Sequence, residues 1–201
     1  MKSTFSENLL ILLQIDNICR RGVVMSENQR IRLTKTLLKN ALVKLLKEQN
    51  IYGISIRELC DTAEINRSTF YKYYGSQFDL LKEMEDDLIE TVTDSISKYP
   101  SRPERSFYYT CKCIDDNYEL VRILFNNNVD PMFPEKILAL PCIRDTIAKY
   151  IGNSASEAER EYQFIFLAYG MYQVIKVWIN KENRESPQEI VDMIMQRILA
   201  K

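Results

Sequence analysis

Apolar side chains recur at helical spacing along most of the chain. Between residues 31 and 46 they fall three or four positions apart, and lysines occupy the other side of the same segment. That period predicts an amphipathic helix whose apolar stripe faces a core. The same pattern predicts a short helix after Ser55, another near Arg67 that Gly75 ends, and a long helix over residues 76–99.

Hydroxyl residues mark where two of these helices begin. Ser55 precedes one helix and has Glu58 three residues later, and Ser76 precedes another with Asp79 at the same offset. A serine followed at that distance by an acidic side chain predicts a capping box, in which each of the two side chains binds the other residue's backbone amide.

The second half of the chain has the same helical character. We predict one helix over residues 103–127, a segment over 134–151 interrupted at Pro141, a long helix over 156–180, and a last helix whose first turn contains Pro187. Only five glycines and six prolines occur in 201 residues, so the many tight turns of an all-β protein are not expected. The predicted fold class is all-α.

The helix over residues 160–180 is apolar on nearly all sides. Such a helix must be buried or meet a second chain, and Gly170 would let a neighbouring backbone approach closely. With the last helix it predicts a twofold four-helix interface, so we expect a homodimer. The predicted dimer contacts are Phe164, Met171, Ile175, Trp178, Ile194 and Ile198.

Charge divides the chain into parts. Residues 25–75 carry a net charge of +4 and residues 76–201 carry −6. A basic head on an acidic body is typical of a phosphate-binding module joined to a domain with another role, although so modest a charge also fits ordinary surface variation. Charge alone does not decide between these two interpretations, but it divides the chain into a first domain over 25–75, the candidate for DNA binding, and a second helical domain over 76–201. Residues 1–24 are expected to be an extension of unclear role, because Met25 opens a polar stretch that resembles a natural amino terminus.

Composition excludes several kinds of chemistry. The chain has no histidine, which removes the commonest general base and most zinc-enzyme sites, and its five cysteines form no CxxC pair. We predict no catalytic residue, no metal and no cofactor, and reduced thiols in a cytoplasmic protein. The apolar run Leu9–Ile15 is too short to span a bilayer, so no membrane association is expected.

The most informative motif is the run from Ser55 to Leu81, which reads SIRELCDTAEINRSTFYKYYGSQFDLL. Two short helices around the turn Glu64–Asn66 are the arrangement of a helix-turn-helix, whose second helix enters the major groove of DNA. The run resembles the amino-terminal signature of TetR-family repressors, in which a hydroxyl residue opens one helix and an aromatic-Tyr-x-x-aromatic stretch ends the next. The resemblance is specific over about residues 30–84. Beyond them it implies a divergent helical domain for effector binding and dimerisation.

Physical chemistry and the resemblance assign the DNA contacts together. Arg67, at the start of the reading helix, suits a guanine edge or a phosphate, and Ser68 and Thr69 can reach bases or phosphate at short range. Ser55 can present a backbone amide to a phosphate, and the resemblance assigns a contact to Arg57. The full predicted set is Ser55, Arg57, Arg67, Ser68, Thr69, Tyr71, Lys72 and Tyr73.

Two positions depart from the pattern of the family. Tyr73 stands where the family often has a histidine, and Gln77 stands where it often has a lysine. A tyrosine can still donate a hydrogen bond to phosphate. The loss of the lysine removes one charge-assisted contact, so we expect a weaker salt dependence of DNA binding.

Aromatic residues recur along the long helices of the second half. They could surround a pocket for a small apolar or aromatic effector, or they could simply fill the core. The predicted pocket residues are Phe107, Cys111, Tyr118, Phe125, Phe166 and Tyr169.

These observations together predict a transcription regulator. It would be a homodimer that reads a palindromic operator in double-stranded DNA, and a repressor that a small-molecule effector releases by shifting the long helix over residues 76–99. Two alternatives remain: a helical protein–protein adaptor that does not bind DNA, and an all-α enzyme, for which the absence of histidine is unfavourable.

Overall fold

The computed structural model describes residues 26–99, 101–126, 129–151 and 156–199, with side chains as far as Arg197. Within these ranges every regular element is a helix, which confirms the all-α class. None of the described helices is both long and apolar enough to cross a membrane. The predicted extension over residues 1–24 and the predicted dimer contact of Ile198 lie outside the described residues and side chains.

The chain forms two compact units, one ending at Met84 and one beginning at Glu85. The first unit contains three helices, a 3₁₀ turn and the start of a fourth helix that continues past the boundary. These elements are α1 (Glu27–Leu46), the 3₁₀ turn (Ile51–Gly53), α2 (Ile56–Ala63), α3 (Arg67–Phe70) and α4 (Gln77–Ser97).

The core of the first unit follows from the predicted stripe of α1. Its inward positions pack with residues of α2, α3 and α4, and these side chains are buried because the apolar faces of the helices meet there. The largest contributors are Leu38, Leu42, Leu46, Leu59, Phe70 and Leu80. Leu80 lies on α4, so the first turns of that helix belong to this unit, whereas the sequence placed the domain boundary at residues 75/76.

Glu83 joins α1 to α4 inside the first unit. Its carboxylate lies 2.7 Å from Lys35 Nζ and 2.8 Å from Lys39 Nζ, and the Tyr74 hydroxyl donates to it at 3.1 Å. Burial would raise the pKa of Glu83, but the hydrogen bonds and charges of the two lysines outweigh that effect and lower it. Lys35 and Lys39, two of the cations of the basic segment 25–75, therefore pair with Glu83 and stabilise the fold.

The second unit contains the remainder of α4 and six further helices among the described residues. They are α5 (Pro103–Asp116), α6 (Tyr118–Asn126), α7 (Phe133–Leu138), α8 (Pro141–Ala148), α9 (Glu157–Asn180) and α10 (Pro187–Leu199). The interruption before Pro141 and the start of the last helix at Pro187 are as predicted.

The prediction of one helix over residues 103–127 is wrong, because the helix breaks at Asn117. Asn117 has φ −108° and ψ 25°, and its side-chain amide donates to the Cys113 carbonyl at 2.9 Å. The same carbonyl also accepts the Asn117 backbone N–H at 3.0 Å, so α5 ends at a capped last turn and α6 begins at Tyr118.

Helix α9 was predicted to be apolar on nearly all sides, but only one of its faces is buried within the chain. Ala168, Ile175, Trp178 and Ile179 are buried within the chain, and the Trp178 indole donates to the Glu185 carbonyl at 2.8 Å. The opposite face leaves apolar side chains exposed; we call it the α9 stripe, and it consists of Tyr162, Ile165, Phe166, Tyr169, Val174 and Val177.

This division corrects part of the predicted dimer interface. Ile175, Trp178 and Ile194 are buried inside a single chain, so they are core residues and are not available to a partner. Phe164 and Met171 are half-buried and pack against the cluster around Leu138. The sequence pattern could not separate the two faces, because α9 carries apolar residues on both.

Candidate nucleic-acid interface

Helix α2 begins at a serine cap. The Ser55 hydroxyl accepts the Glu58 backbone N–H at 3.1 Å, as predicted. The second half of the predicted capping box is absent, because the Glu58 carboxylate instead accepts a hydrogen bond from Gln49 Nε2 at 2.7 Å. This bond ties α2 to the end of α1. At α4 the box is complete: the Asp79 N–H donates to Ser76 Oγ at 3.3 Å, and Ser76 N–H donates to the Asp79 carboxylate at 2.9 Å.

The turn between α2 and α3 depends on a left-handed residue. Glu64 has φ 56° and ψ 36°, and it is the only described residue other than glycine with positive φ. The Ile65 N–H then donates to the Cys60 carbonyl at 3.0 Å, which closes the end of α2 in a Schellman-like arrangement. This geometry turns the chain sharply enough for α3 to begin at Arg67.

Helix α3 is shorter than the sequence suggests. It ends at Phe70, and the chain continues to Tyr73 as hydrogen-bonded turns in which Tyr71 N–H donates to the Arg67 carbonyl at 3.0 Å. Phe70 and Tyr74 point into the core with ring centroids 5.6 Å apart. Because these two face inward, the intervening side chains face outward.

All eight predicted DNA-binding residues are accessible in this segment. Arg67, Ser68 and Lys72 are exposed, and the Tyr71 side chain is 58% exposed. Ser55 and Arg57 are exposed on α2, whereas Thr69 and Tyr73 are half-buried.

The charges of the segment differ in their surroundings. Arg57 Nε lies 3.6 Å from the Asp61 carboxylate, an exposed pair of little strength. Within the described part of the chain, Arg67 and Lys72 form no salt bridge. Their charges are therefore available to phosphates or base edges.

The region around Gln77 differs from the sequence-based expectation. Gln77 Nε2 donates to the Ile51 carbonyl at 3.4 Å, so the side chain joins α4 to the 3₁₀ turn. Phe78, in the first turn of α4, is 40% exposed, and its ring centre lies 5.3 Å from that of Tyr52, which is 78% exposed. The sequence did not predict this pair, because its two rings come from parts of the chain that only the packing of the 3₁₀ turn on α4 brings together.

The predicted effector residues do not share one environment. Cys111 is buried, and burial raises the pKa of its thiol to about 12. The Arg184 guanidinium lies 3.9 Å from the ring centre of Tyr118, and the ring centre of Phe125 lies 5.1 Å from that of Tyr172. Phe166 and Tyr169 lie on the exposed α9 stripe, and Phe107 is half-buried.

Comparison with known proteins follows this division into two units. Residues 38–84 match the family model of bacterial regulatory proteins of the tetR family, and residues 101–199 match a transcriptional regulator C-terminal region of the TetR type. YxbF of Bacillus subtilis, an uncharacterized HTH-type transcriptional regulator, is 21% identical over 172 residues, which cover 82% of this chain and 44% of YxbF. DhaS of Lactococcus lactis, named as the transcriptional activator of the dhaKLM operon, is 28% identical over 99 residues, which cover 43% of this chain and 53% of DhaS. The chain thus spans about half the length of these curated relatives.

Solved structures share the fold. The dihydroxyacetone kinase operon activator DhaS superposes with a TM-score of 0.60 at 20% identity, covering 83% of this chain and 94% of DhaS. A TetR transcriptional regulator from Streptococcus agalactiae superposes with a TM-score of 0.59 at 20% identity, covering 86% and 97%. With family matches on both units and this fold, the chain belongs to the TetR family of bacterial regulatory proteins.

Proposed function

We propose that the protein is a sequence-specific DNA-binding transcription regulator whose α3 enters the major groove. The observation that carries the proposal is the orientation of α3 and the turns after it: Phe70 and Tyr74 are buried, whereas Arg67, Ser68 and Lys72 are exposed. Arginine offers two donors to a guanine edge, and lysine suits a phosphate. An exposed arginine at the start of α3 and an exposed lysine in the turn that follows it fit contacts with DNA, whereas a protein–protein adaptor does not require them.

The experiment that tests the proposal is selection from random-sequence duplex DNA. The wild type should enrich a palindromic sequence, and Arg67→Ala should lose that enrichment. Arg122→Ala removes the same charge from an exposed position on α6 in the second unit, so it should select the same sequence as the wild type. Removal of a cation that binds one phosphate should lower the slope of log affinity against log salt by about 0.9. Absence of enrichment at every salt concentration would favour the adaptor.

The palindrome in this proposal comes from a homodimer, for which the α9 stripe supplies the contact. Phe166 is 79% exposed, and its apolar neighbours on the stripe continue over about four turns of the helix. A Cβ added at Gly170 would meet nothing within 4 Å, so this side of the helix has room for a second backbone. A contiguous exposed apolar face of this kind is typical of an interface between subunits.

An effector is the finer part of the proposal. An open cleft of about 990 Å³ lies between α5 and α10, within the size range of ligand sites. Arg105, Tyr108 and Met195 are among its lining residues, and none of the six sequence-predicted pocket residues lines it. Because α4 contributes residues to both units, a shift of α4 is the proposed route from an effector to DNA affinity.

The direction of regulation has two candidates. Repression follows if the dimer occupies an operator that overlaps a promoter and the effector lowers its affinity. Activation is favoured by one observation, the sequence similarity to DhaS, which is named as an activator. Transcription from a promoter that carries the selected palindrome separates the two: added protein lowers the transcript level of a repressor target and raises that of an activator target.

A further inference from the structure

The first unit exposes one pair of aromatic side chains that the proposed reading helix does not use. Tyr52 is 78% exposed and Phe78 is 40% exposed, and their ring centres lie 5.3 Å apart with the planes inclined by 56°. Exposed aromatic rings that touch each other form an apolar patch, which gains free energy when another surface covers it.

Hydrogen bonds on both sides hold this pair in place. Asn50 caps the 3₁₀ turn, since its side chain accepts the Tyr52 N–H at 3.1 Å, and Ile51 next to it is completely buried. On the other side, Gln77 donates to the Ile51 carbonyl at 3.4 Å. The pair is therefore pre-organised, and covering it costs little conformational entropy.

The pair lies between the amino-terminal ends of two helices. Tyr52 is three residues before the Ser55 cap of α2, and Phe78 is two residues after the Ser76 cap of α4. The exposed residues of the proposed DNA-reading segment begin at Ser55 and end just before α4. The aromatic patch therefore adjoins that segment along the chain at both of its ends.

Charge around the start of α4 favours an apolar contact over a phosphate contact. Residues 73–81, which lie between the exposed Lys72 and Lys82, contain no lysine or arginine of their own, and Asp79 is their one acidic residue. The Asp79 carboxylate accepts the N–H groups of Gly75 and Ser76 at 3.0 and 2.9 Å, so these amides are already satisfied. A DNA strand at this position meets aromatic faces, which suit the apolar face of deoxyribose better than the charged oxygens.

We propose that Tyr52 and Phe78 pack on the deoxyribose groups that flank each half-site and extend the DNA contact beyond the bases read by α3. This inference rests on the proposed function. It assigns to the pair a contribution that does not depend on base identity and adds no counterion release.

Affinity for the selected palindrome tests this inference, measured by fluorescence anisotropy on one duplex with long flanks and one trimmed at the edge of the half-sites. Tyr52→Ala and Phe78→Ala should each weaken binding to the long duplex by about three- to tenfold, a typical loss for an interface aromatic. The slope of log affinity against log salt should stay at the wild-type value. On the trimmed duplex the variants and the wild type should bind alike.

Three further variants make the outcome specific. Tyr52→Phe keeps the ring and should bind as the wild type; a loss in this variant would mean that the hydroxyl contacts a phosphate, which contradicts an apolar contact. Glu48→Ala changes an exposed position after α1 and should have no effect. If Tyr52→Ala and Phe78→Ala both bind the long duplex with wild-type affinity, the inference is overturned and the patch is left to a protein partner. If Arg67→Ala also binds as the wild type, the proposed function itself fails.

Discussion

The left-handed turn at Glu64 makes a quantitative prediction about stability. At φ 56° and ψ 36° the Cβ of a non-glycine residue crowds the following carbonyl, at a cost of about 1–2 kcal/mol. Glycine has no Cβ and is the usual residue at this position after a helix, although it loses more backbone entropy on folding. The Glu64 side chain is exposed, so its removal should cost little. We therefore expect Glu64→Gly to stabilise the protein by about 1 kcal/mol.

Thermal and urea unfolding followed by circular dichroism measure this difference. A gain of about 1 kcal/mol corresponds to a rise in Tm of about 2–4 °C in a chain of this size. Glu64→Ala is the matched control, because it removes the same charge and keeps the Cβ, so it should not be stabilised. If alanine stabilises as much as glycine, the strain argument is wrong and the effect comes from the lost charge. Affinity for the selected palindrome should be equal in the wild type and Glu64→Gly, because glycine adopts the same turn.

Burial and charge lead to three further expected outcomes. Burial raises the pKa of Glu85 despite Lys136 Nζ at 3.0 Å, so the protonated carboxyl stabilises the folded state at low pH and this contribution is lost as the pH rises through the raised pKa. Glu85→Gln should therefore gain stability relative to the wild type with rising pH, and a pH-independent difference in the free energy of unfolding would contradict this. Phe166→Asp places a charge on the α9 stripe, so light scattering should give the mass of the proposed dimer for the wild type and that of a monomer for the variant; equal masses would exclude the stripe as the interface. Phe70→Ala empties a completely buried site and should cost about 3–5 kcal/mol in urea unfolding; a cost below about 1 kcal/mol would show that α3 does not depend on this anchor.

The sequence alone identified the elements whose signals are local. Apolar spacing and capping residues predicted α1, the cap of α2 at Ser55 and the box at Ser76, because these depend on residues only three or four positions apart. The alternation of Phe70 and Tyr74 with exposed positions follows from the same short-range geometry. The all-α class and the family resemblance are consequences of these local patterns.

The tertiary structure decided which of two equally apolar faces is covered. Trp178 and Phe166 lie twelve residues apart on α9 and are both aromatic, yet one is buried and the other is 79% exposed. The difference arises because α6, α7 and α8 pack on one side of α9, and no local pattern records which side they take. For the same reason the Tyr52–Phe78 pair, the assignment of Lys35 and Lys39 to Glu83, and the break at Asn117 were not predicted from the sequence. The first two depend on contacts between residues distant in the chain. The break at Asn117 depends on the backbone conformation of one residue, whose side-chain amide adds a second hydrogen bond to the Cys113 carbonyl, and the apolar pattern does not record it.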